Sequence, residues 1–407
     1  MAGPFTYISS GLLGSRPSIP RTIVLTASVV AAVWLSVDLV LRPRKVNKEL
    51  FTPSPRRRTS PAKDLPYPLD ALPGGRDVAT PYGSIRVYEW GPEDGEKALL
   101  VHGISTPTVA LGDLGHELVG KGHRVMLFDL FGRGYSDAPT DLDYDSRLYV
   151  TQILLVLASS QLPWSTFHLV GYSLGGGLCV AFTRYFPHRV NSLTLVASGG
   201  LIRPHHVGWQ SRLLYNSGLL PEFVVRVLVR RRIRPKSEQP PGTASAANIA
   251  SAETKKHLPN GDGDSNGGDG FDSAMISKFR PGVTVSSVVR WQVDNHAGFV
   301  TAFLSSIRNA PIYAPQEDWK ALASLLEARR QIKHSAEAET ISGLRAGKVL
   351  VVLGEDDPVV VKDETIEDAK HILGVDGVEF AVLPGGHEIP ITMSSGVADA
   401  IDSFWRA

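Results

Sequence analysis

Cysteine is almost missing from this sequence: Cys179 is the only one in 407 residues. One thiol allows no internal disulfide and no thiolate metal centre, so the fold must rest on an apolar core. The acceptor pattern Asn-x-Ser/Thr is absent too, which argues against a lumenal or secreted domain. Neither sign of charge dominates, with 42 Lys+Arg against 41 Asp+Glu and a formal net charge of +1. That balance lacks the electrostatic footprint of a nucleic-acid binder, and no nucleic acid is expected as a partner. No internal repeat is present, which excludes a solenoid or propeller.

What is present begins at 22–41, "TIVLTASVVAAVWLSVDLVL". Its length and composition predict a helix that spans a bilayer, behind a leader at 1–21. Arg42, Arg44, Lys45 and Lys48 follow the run, and by the positive-inside bias the remainder faces the cytosol. The run has no small-x-small cleavage site, which argues against a removed signal peptide. The expectation is a single-pass membrane protein with its main domain in the cytosol, on the endoplasmic reticulum or another endomembrane. The acid-free leader keeps a mitochondrial membrane open. Residues 42–75 are basic and Pro-rich and read as a stiff spacer.

From residue 76 onward short apolar runs alternate with helical patterns. "SIRVYEWG", "KALLVHG", "HRVMLFDLFG", "TFHLVGYS" and "VNSLTLVAS" read as strands. The rhythm stops after residue 202 and resumes at 348 with "KVLVVLGEDD" and "GVEFAVLPGGH". Continuous apolar strands separated by helices predict an α/β fold with a mostly parallel sheet covered on both faces. The core is therefore split into 76–202 and 348–407. The interval 203–347 is too long for a loop and reads as a helical insertion, disordered over 237–272 where apolar residues are scarce.

The chemistry centres on Gly171-Tyr172-Ser173-Leu174-Gly175, a G-x-S-x-G pattern placed between an apolar strand and a helix. A sharp turn there exposes the Ser173 hydroxyl, and the following helix start directs backbone N–H groups at developing negative charge. Serine needs a positioned base, and the base needs a carboxylate to hold its tautomer. Of 12 histidines, His387 in "LPGGHEIP" lies just past the last strand. "GEDDPVV", past the preceding strand, offers Glu355, Asp356 and Asp357.

Together with His102-Gly103 and the turn Asp129-Leu-Phe-Gly-Arg-Gly-Tyr-Ser-Asp137, these motifs resemble the α/β-hydrolase superfamily, over 83–200 and 345–405. The resemblance implies an eight-stranded sheet with the helical cap inserted after strand 6. It implies a Ser173, Asp357, His387 triad in the order this fold uses. It also implies an oxyanion hole from the N–H groups of Ile104 and Leu174, with Asp129, Ser136 and His102 as loop-fixing residues. Serine at the elbow excludes the family's aspartate-nucleophile branches. No cofactor or metal is implied.

The expected activity is a serine hydrolase cleaving lipophilic carboxylic esters, similar to membrane-anchored monoacylglycerol lipase-like and capped esterases, held to the bilayer through 22–41. Tyr172, Trp209, Phe223, Trp291 and Phe299 are taken as substrate-lining candidates. Thioester or carbon–carbon bond cleavage on the same triad stays open, as does an inert member that binds lipid. Two further patterns carry less. Asp262–Asp269 starts like a calcium loop, but Ser273 stands where the bidentate glutamate belongs. Arg226, Arg230, Arg231, Arg232 and Arg234 stud an apolar helix, readable as a membrane-surface segment or as an ordinary charged outer face.

Overall fold

The computed structural model describes residues 26, 28–34, 50–55, 66–206, 208, 211, 214–215, 220–235, 267–313, 316–332, 343–344 and 347–407. The chain divides into two units, Met1–Lys48 and Glu49–Ala407. In the first, residues 26 and 28–34 are helical and exposed. No helix among the described residues is long and apolar enough to cross a membrane. This overturns the expected anchor over 22–41 and, with it, the placement as a single-pass membrane protein. Thr26, Ser28, Ser36 and Asp38 interrupt the apolar run.

The second unit is built on strands β1 (Arg76–Thr80), β2 (Gly83–Trp90), β3 (Lys97–Val101), β4 (Arg124–Phe128), β5 (Phe167–Tyr172), β6 (Val190–Val196), β7 (Val349–Gly354) and β8 (Val378–Leu383). They form one eight-stranded sheet in the order β8-β7-β6-β5-β3-β4-β2-β1. Only β2 runs against its neighbours; the other pairings are parallel. The chain steps from β3 to β4 on one side and then places β5 on the other side of β3. That reversal opens a crevice at the strand ends, where open α/β sheets bind their ligands.

Why the strands read as unbroken apolar runs follows from the packing. Alternate residues face opposite layers: Ala98 and Leu100 join one core cluster, Leu99 and Val101 the other. The first layer holds α1 (Gly112–Gly120) and α10 (Ser394–Arg406), whose Val397, Ala398, Ile401 and Phe404 form one buried stripe. The opposite layer holds α2 (Ser146–Ala158), α3 (Leu174–Tyr185) and, later in the chain, α8 (Gln316–Ile332) and α9 (Lys362–Leu373). Asp145 starts α2 by accepting from the backbone of Arg147 and Leu148 at 2.9 and 3.1 Å. Cys179, on α3, is wholly buried and pushes its thiol pKa well up by desolvation.

The insertion contributes α4 (Glu222–Ile233), α5 (Asp269–Ser273), α6 (Val285–Asn295) and α7 (Phe299–Asn309), which share an apolar core. Thr284 and Ser287 form a capping box at the start of α6. Helix α8, within the expected cap interval, instead packs its Trp319, Leu322 and Leu326 with the sheet-covering layer, and Asp318 accepts from Arg184 of α3 at 2.6 Å. Arg230 of α4 and Arg234 just past its end pair with Asp294 of α6, while Phe223, Val227 and Leu228 on α4 are exposed. Most of the stretch expected to be disordered lies outside the described residues, as does the calcium-like 262–266. Its last part enters α5, with Phe271 buried.

The described part of the expected spacer is packed: Tyr67 and Leu72 are buried, and Phe51–Thr52 pairs with Ala138–Pro139. Buried Asp137 anchors this arrangement, accepting from the Ser54 N–H at 2.7 Å and the Ser84 N–H at 2.8 Å. Asp137→Ala leaves both donors without that carboxylate and is expected to cost about 2–4 kcal/mol in urea unfolding. A loss under about 0.5 kcal/mol would show that water replaces the carboxylate freely.

Candidate active site

Ser173 stands between the last residue of β5 and the first of α3, with φ 53° and ψ −122°. This conformation is disfavoured for any side-chain-bearing residue and costs about 1–3 kcal/mol unless its surroundings fix it. They do. The Ser173 carbonyl accepts from Gly176 and Gly199 at 2.9 and 2.8 Å, and its N–H donates to Val196 at 3.1 Å. The turn is tight enough that a Cβ on Gly175 would lie 2.1 Å from the Val101 carbonyl oxygen. One on Gly171 would lie 2.5 Å from the Gly175 carbonyl oxygen.

Three side chains from three strand ends meet here. Asp357, past β7, lies 2.9 Å by Oδ2 from His387 Nδ1. A carboxylate only accepts, so Nδ1 carries the proton and Nε2 is left as an acceptor. Nε2 is 3.0 Å from Ser173 Oγ. The other Asp357 oxygen accepts from Val359 and Val360 at 2.8 and 2.9 Å. Of the three acids in "GEDDPVV", Glu355 and Asp356 face solvent and only Asp357 turns inward. Tyr172 supports the histidine from below, donating its hydroxyl to the His387 carbonyl at 2.8 Å. Phe271 presents its ring to the imidazole, with centroids 5.7 Å apart.

These groups open into a cleft whose empty space, part of it open to solvent, is about 620 Å³. Ile104, Leu174, Ile202 and Val359 line it from the core, and Phe271, Ile307, Ile312 and Tyr313 from the insertion. Of the lining candidates read from the sequence, Tyr172 is in this wall. Trp209 lies outside the described residues. Phe223 is 62% exposed; Trp291 packs on Tyr135 with ring centroids 5.9 Å apart, and Phe299 lines a second, smaller cavity with Val289 and Phe303. Sequence reading passed over Phe271 because it sits in a Gly- and Asp-rich stretch. Ile307 was discoverable, since it follows Phe299 and Phe303 at helical spacing.

His102 takes no place among the reacting groups. Its Nδ1 donates to the Gly103 carbonyl at 2.8 Å, and its Nε2 accepts from the Leu130 N–H at 2.8 Å. Burial lowers its pKa to about 3. Asp129 accepts from Thr108 and Tyr135, fixing the neighbouring turn at 2.9 and 2.8 Å. Among the described residues, metal-ligating atoms gather at His205, His206 and Glu364, within 4.8 Å of one another. That group is outside the cavity wall and is tied up in ion pairs, His206 to Glu364 at 2.7 Å.

Two of the buried histidines, His102 and His296, set a pH dependence. His296, with Nε2 donating to the Ser136 carbonyl at 2.9 Å, is lowered by burial to about 4. Unfolded histidine takes its proton near pH 6.5, so below that value the unfolded chain binds protons that the folded chain refuses. Stability is therefore complete above pH 6.5 and falls as the pH drops toward 4. Between pH 6.5 and 5 the two residues together cost about 3 kcal/mol, and Asp129, raised by burial to about 6, offsets about 1 kcal/mol as it takes its proton, so a net loss of about 2 kcal/mol is expected. Urea midpoints at pH 7 and pH 5 measure this; equal midpoints contradict it.

Comparison with known proteins agrees with this architecture. Lipase 1 of Psychrobacter immobilis is 34% identical over 119 residues, 29% of this chain and 37% of that protein. A serine hydrolase-like protein of Danio rerio is 28% identical over 126 residues, 31% and 38%. A 2-hydroxymuconate semialdehyde hydrolase of Pseudomonas putida is 31% identical over 147 residues, 36% and 50%. The matched stretch thus spans half or less of each relative. Among solved structures, a membrane phospholipase A described as a bacterial virulence factor superposes with a TM-score of 0.53 at 15% identity, covering 95% of this chain and 98% of that one. The enol-lactonase from Burkholderia xenovorans LB400 gives 0.51 at 14%, covering 82% and 100%. These two likenesses concern the fold alone. The family described as alpha/beta hydrolase fold matches residues 99–392, most of the sequence, and the chain belongs to that family.

Proposed function

We propose that the protein is a serine hydrolase of lipophilic carboxylic esters. The observation that carries the reading is the hydrogen-bonded series from Ser173 Oγ through His387 to Asp357, at the floor of a largely apolar cavity. In this reading Ser173 Oγ attacks the ester carbonyl as its proton passes to His387 Nε2. The imidazolium formed is stabilised by Asp357. The N–H groups of Ile104 and Leu174 receive the oxyanion. The alcohol leaves with the proton from Nε2, and water, deprotonated by the same nitrogen, releases the acid and restores the serine.

The apolar walls favour an acyl chain over a charged group. A single-chain ester of the monoacylglycerol kind suits one continuous cavity, and the lipase relative supports that class. The 2-hydroxymuconate semialdehyde hydrolase relative favours a second reading, carbon–carbon bond cleavage on the same three side chains. It would require polar groups to hold an anionic substrate, and the apolar lining favours the ester.

Ser173→Ala is expected to abolish labelling by a fluorophosphonate probe and to lower kcat on p-nitrophenyl octanoate by about 10⁴-fold or more. Asp357→Asn should cost about 10⁴-fold with the fold intact. Each buried methylene adds up to about 0.8 kcal/mol, so kcat/KM should rise at least about tenfold from the acetyl to the octanoyl ester. Folded wild-type protein that neither takes the probe nor turns over any of these esters would defeat the proposal. Preference for a carbon–carbon substrate would replace it by the second reading.

A further inference from the structure

The loop after β3 shows an unusual concentration of side-chain donors. Three consecutive carbonyls, those of Gly103, Ile104 and Ser105, are each taken by a different side chain: His102 Nδ1 at 2.8 Å, Arg133 Nε at 3.1 Å and Gln292 Nε2 at 2.8 Å. A peptide is planar and trans, so its N–H points away from its C=O. Holding the Gly103 carbonyl therefore aims the Ile104 N–H, and holding the next two carbonyls stops the following planes from rotating.

Two of these three restraints lead into the insertion. Gln292 belongs to α6 and is wholly buried; its Oε1 also accepts from the Gly134 N–H at 2.9 Å, so one carboxamide joins the oxyanion loop to the Asp129–Asp137 turn. Arg133 is wholly buried as well. Its Nη2 donates to Ser306 Oγ of α7 at 3.0 Å, and Ser306 Oγ lies 2.8 Å from the Tyr149 hydroxyl. The His102 contact is made wholly within the core, and Arg133 is also held there, its Nη1 donating to the Phe131 carbonyl at 3.0 Å and the Tyr149 hydroxyl at 2.9 Å, so the Gln292 bond is the direct restraint from the insertion.

We propose that Gln292, with the Arg133–Ser306 contact beside it, is a positioning residue through which the seated insertion holds the Ile104 N–H in its oxyanion-binding direction. Gln292 touches no substrate; it acts through the Ser105 peptide. The catalytic part of this inference rests on the serine-hydrolase reading above, while its structural part, the restraint of 103–106 by α6, does not. The consequence is that the hole is fully formed only while α6 and α7 are in place, so displacing them relaxes the oxyanion loop.

Gln292→Met keeps the side-chain volume and removes both hydrogen bonds; Ser306→Ala, a smaller change, weakens the second restraint. In the full chain, Gln292→Met is expected to lower kcat on p-nitrophenyl octanoate by about 10–100-fold, within the cost of losing an oxyanion donor, with KM within about twofold. Ser306→Ala should lower it less. Amide hydrogen exchange in 103–106 should accelerate at least about tenfold in Gln292→Met, while exchange in β5 and β6 stays unchanged. A merely structural role would lower the melting temperature but leave kcat, measured well below it, and the exchange of 103–106 as in wild type; that result overturns the proposal. If Gln292→Met fails to fold, the same pair of readouts on Ser306→Ala decides. Wild-type protein inactive on every ester would defeat the hydrolase reading, and the exchange measurement would still test the restraint.

Discussion

The structure depends on a steric constraint at one turn. Between β5 and α3 the backbone reverses in so little space that neither Gly171 nor Gly175 has room for a Cβ. Ser173 is held there at positive φ by three backbone hydrogen bonds. The groups of the proposed site are arranged around that fixed hydroxyl. The ends of β7 and β8 deliver Asp357 and His387, and the end of β3 delivers Ile104. A parallel sheet makes this possible because its strands finish on one edge, so residues hundreds of positions apart share a rim.

Burial then sorts the polar groups into two kinds. His102, His296, Gln292 and Arg133 are enclosed and spend their donors and acceptors on backbone and hydroxyl partners, which fixes the loops around the site. His387 has one nitrogen on a carboxylate and the other on a hydroxyl, which leaves it able to move a proton. Geometry separates the loop-fixing histidines from the proposed base more sharply than residue type does.

How much was legible in the sequence follows from what each signal encodes. Apolar strand runs and the G-x-S-x-G turn reflect local sterics and burial, so the sheet and the serine elbow were readable. Strand β1, "RDVAT", is a two-fifths charged edge strand and gave no apolar signal. Trp291 and Phe299 read as substrate-lining, but apolar periodicity does not say which neighbour a face meets: Trp291 meets Tyr135 of the core, and Phe299 meets Phe303 within the insertion. Helix α8 has the same amphipathic character as its neighbours yet covers the sheet. The run at 22–41 was judged by length and mean composition, and the polar residues within it weigh against the span it suggested.

The solitary thiol has a practical corollary. Cys179 lies inside α3, shielded by the packed layer behind Ser173. Alkylating reagents can reach it only when that helix leaves the sheet, which makes its labelling a native gauge of global opening. The same seclusion leaves the exterior free of competing thiols, so a cysteine introduced on the insertion would carry a dye or spin probe at a single known place.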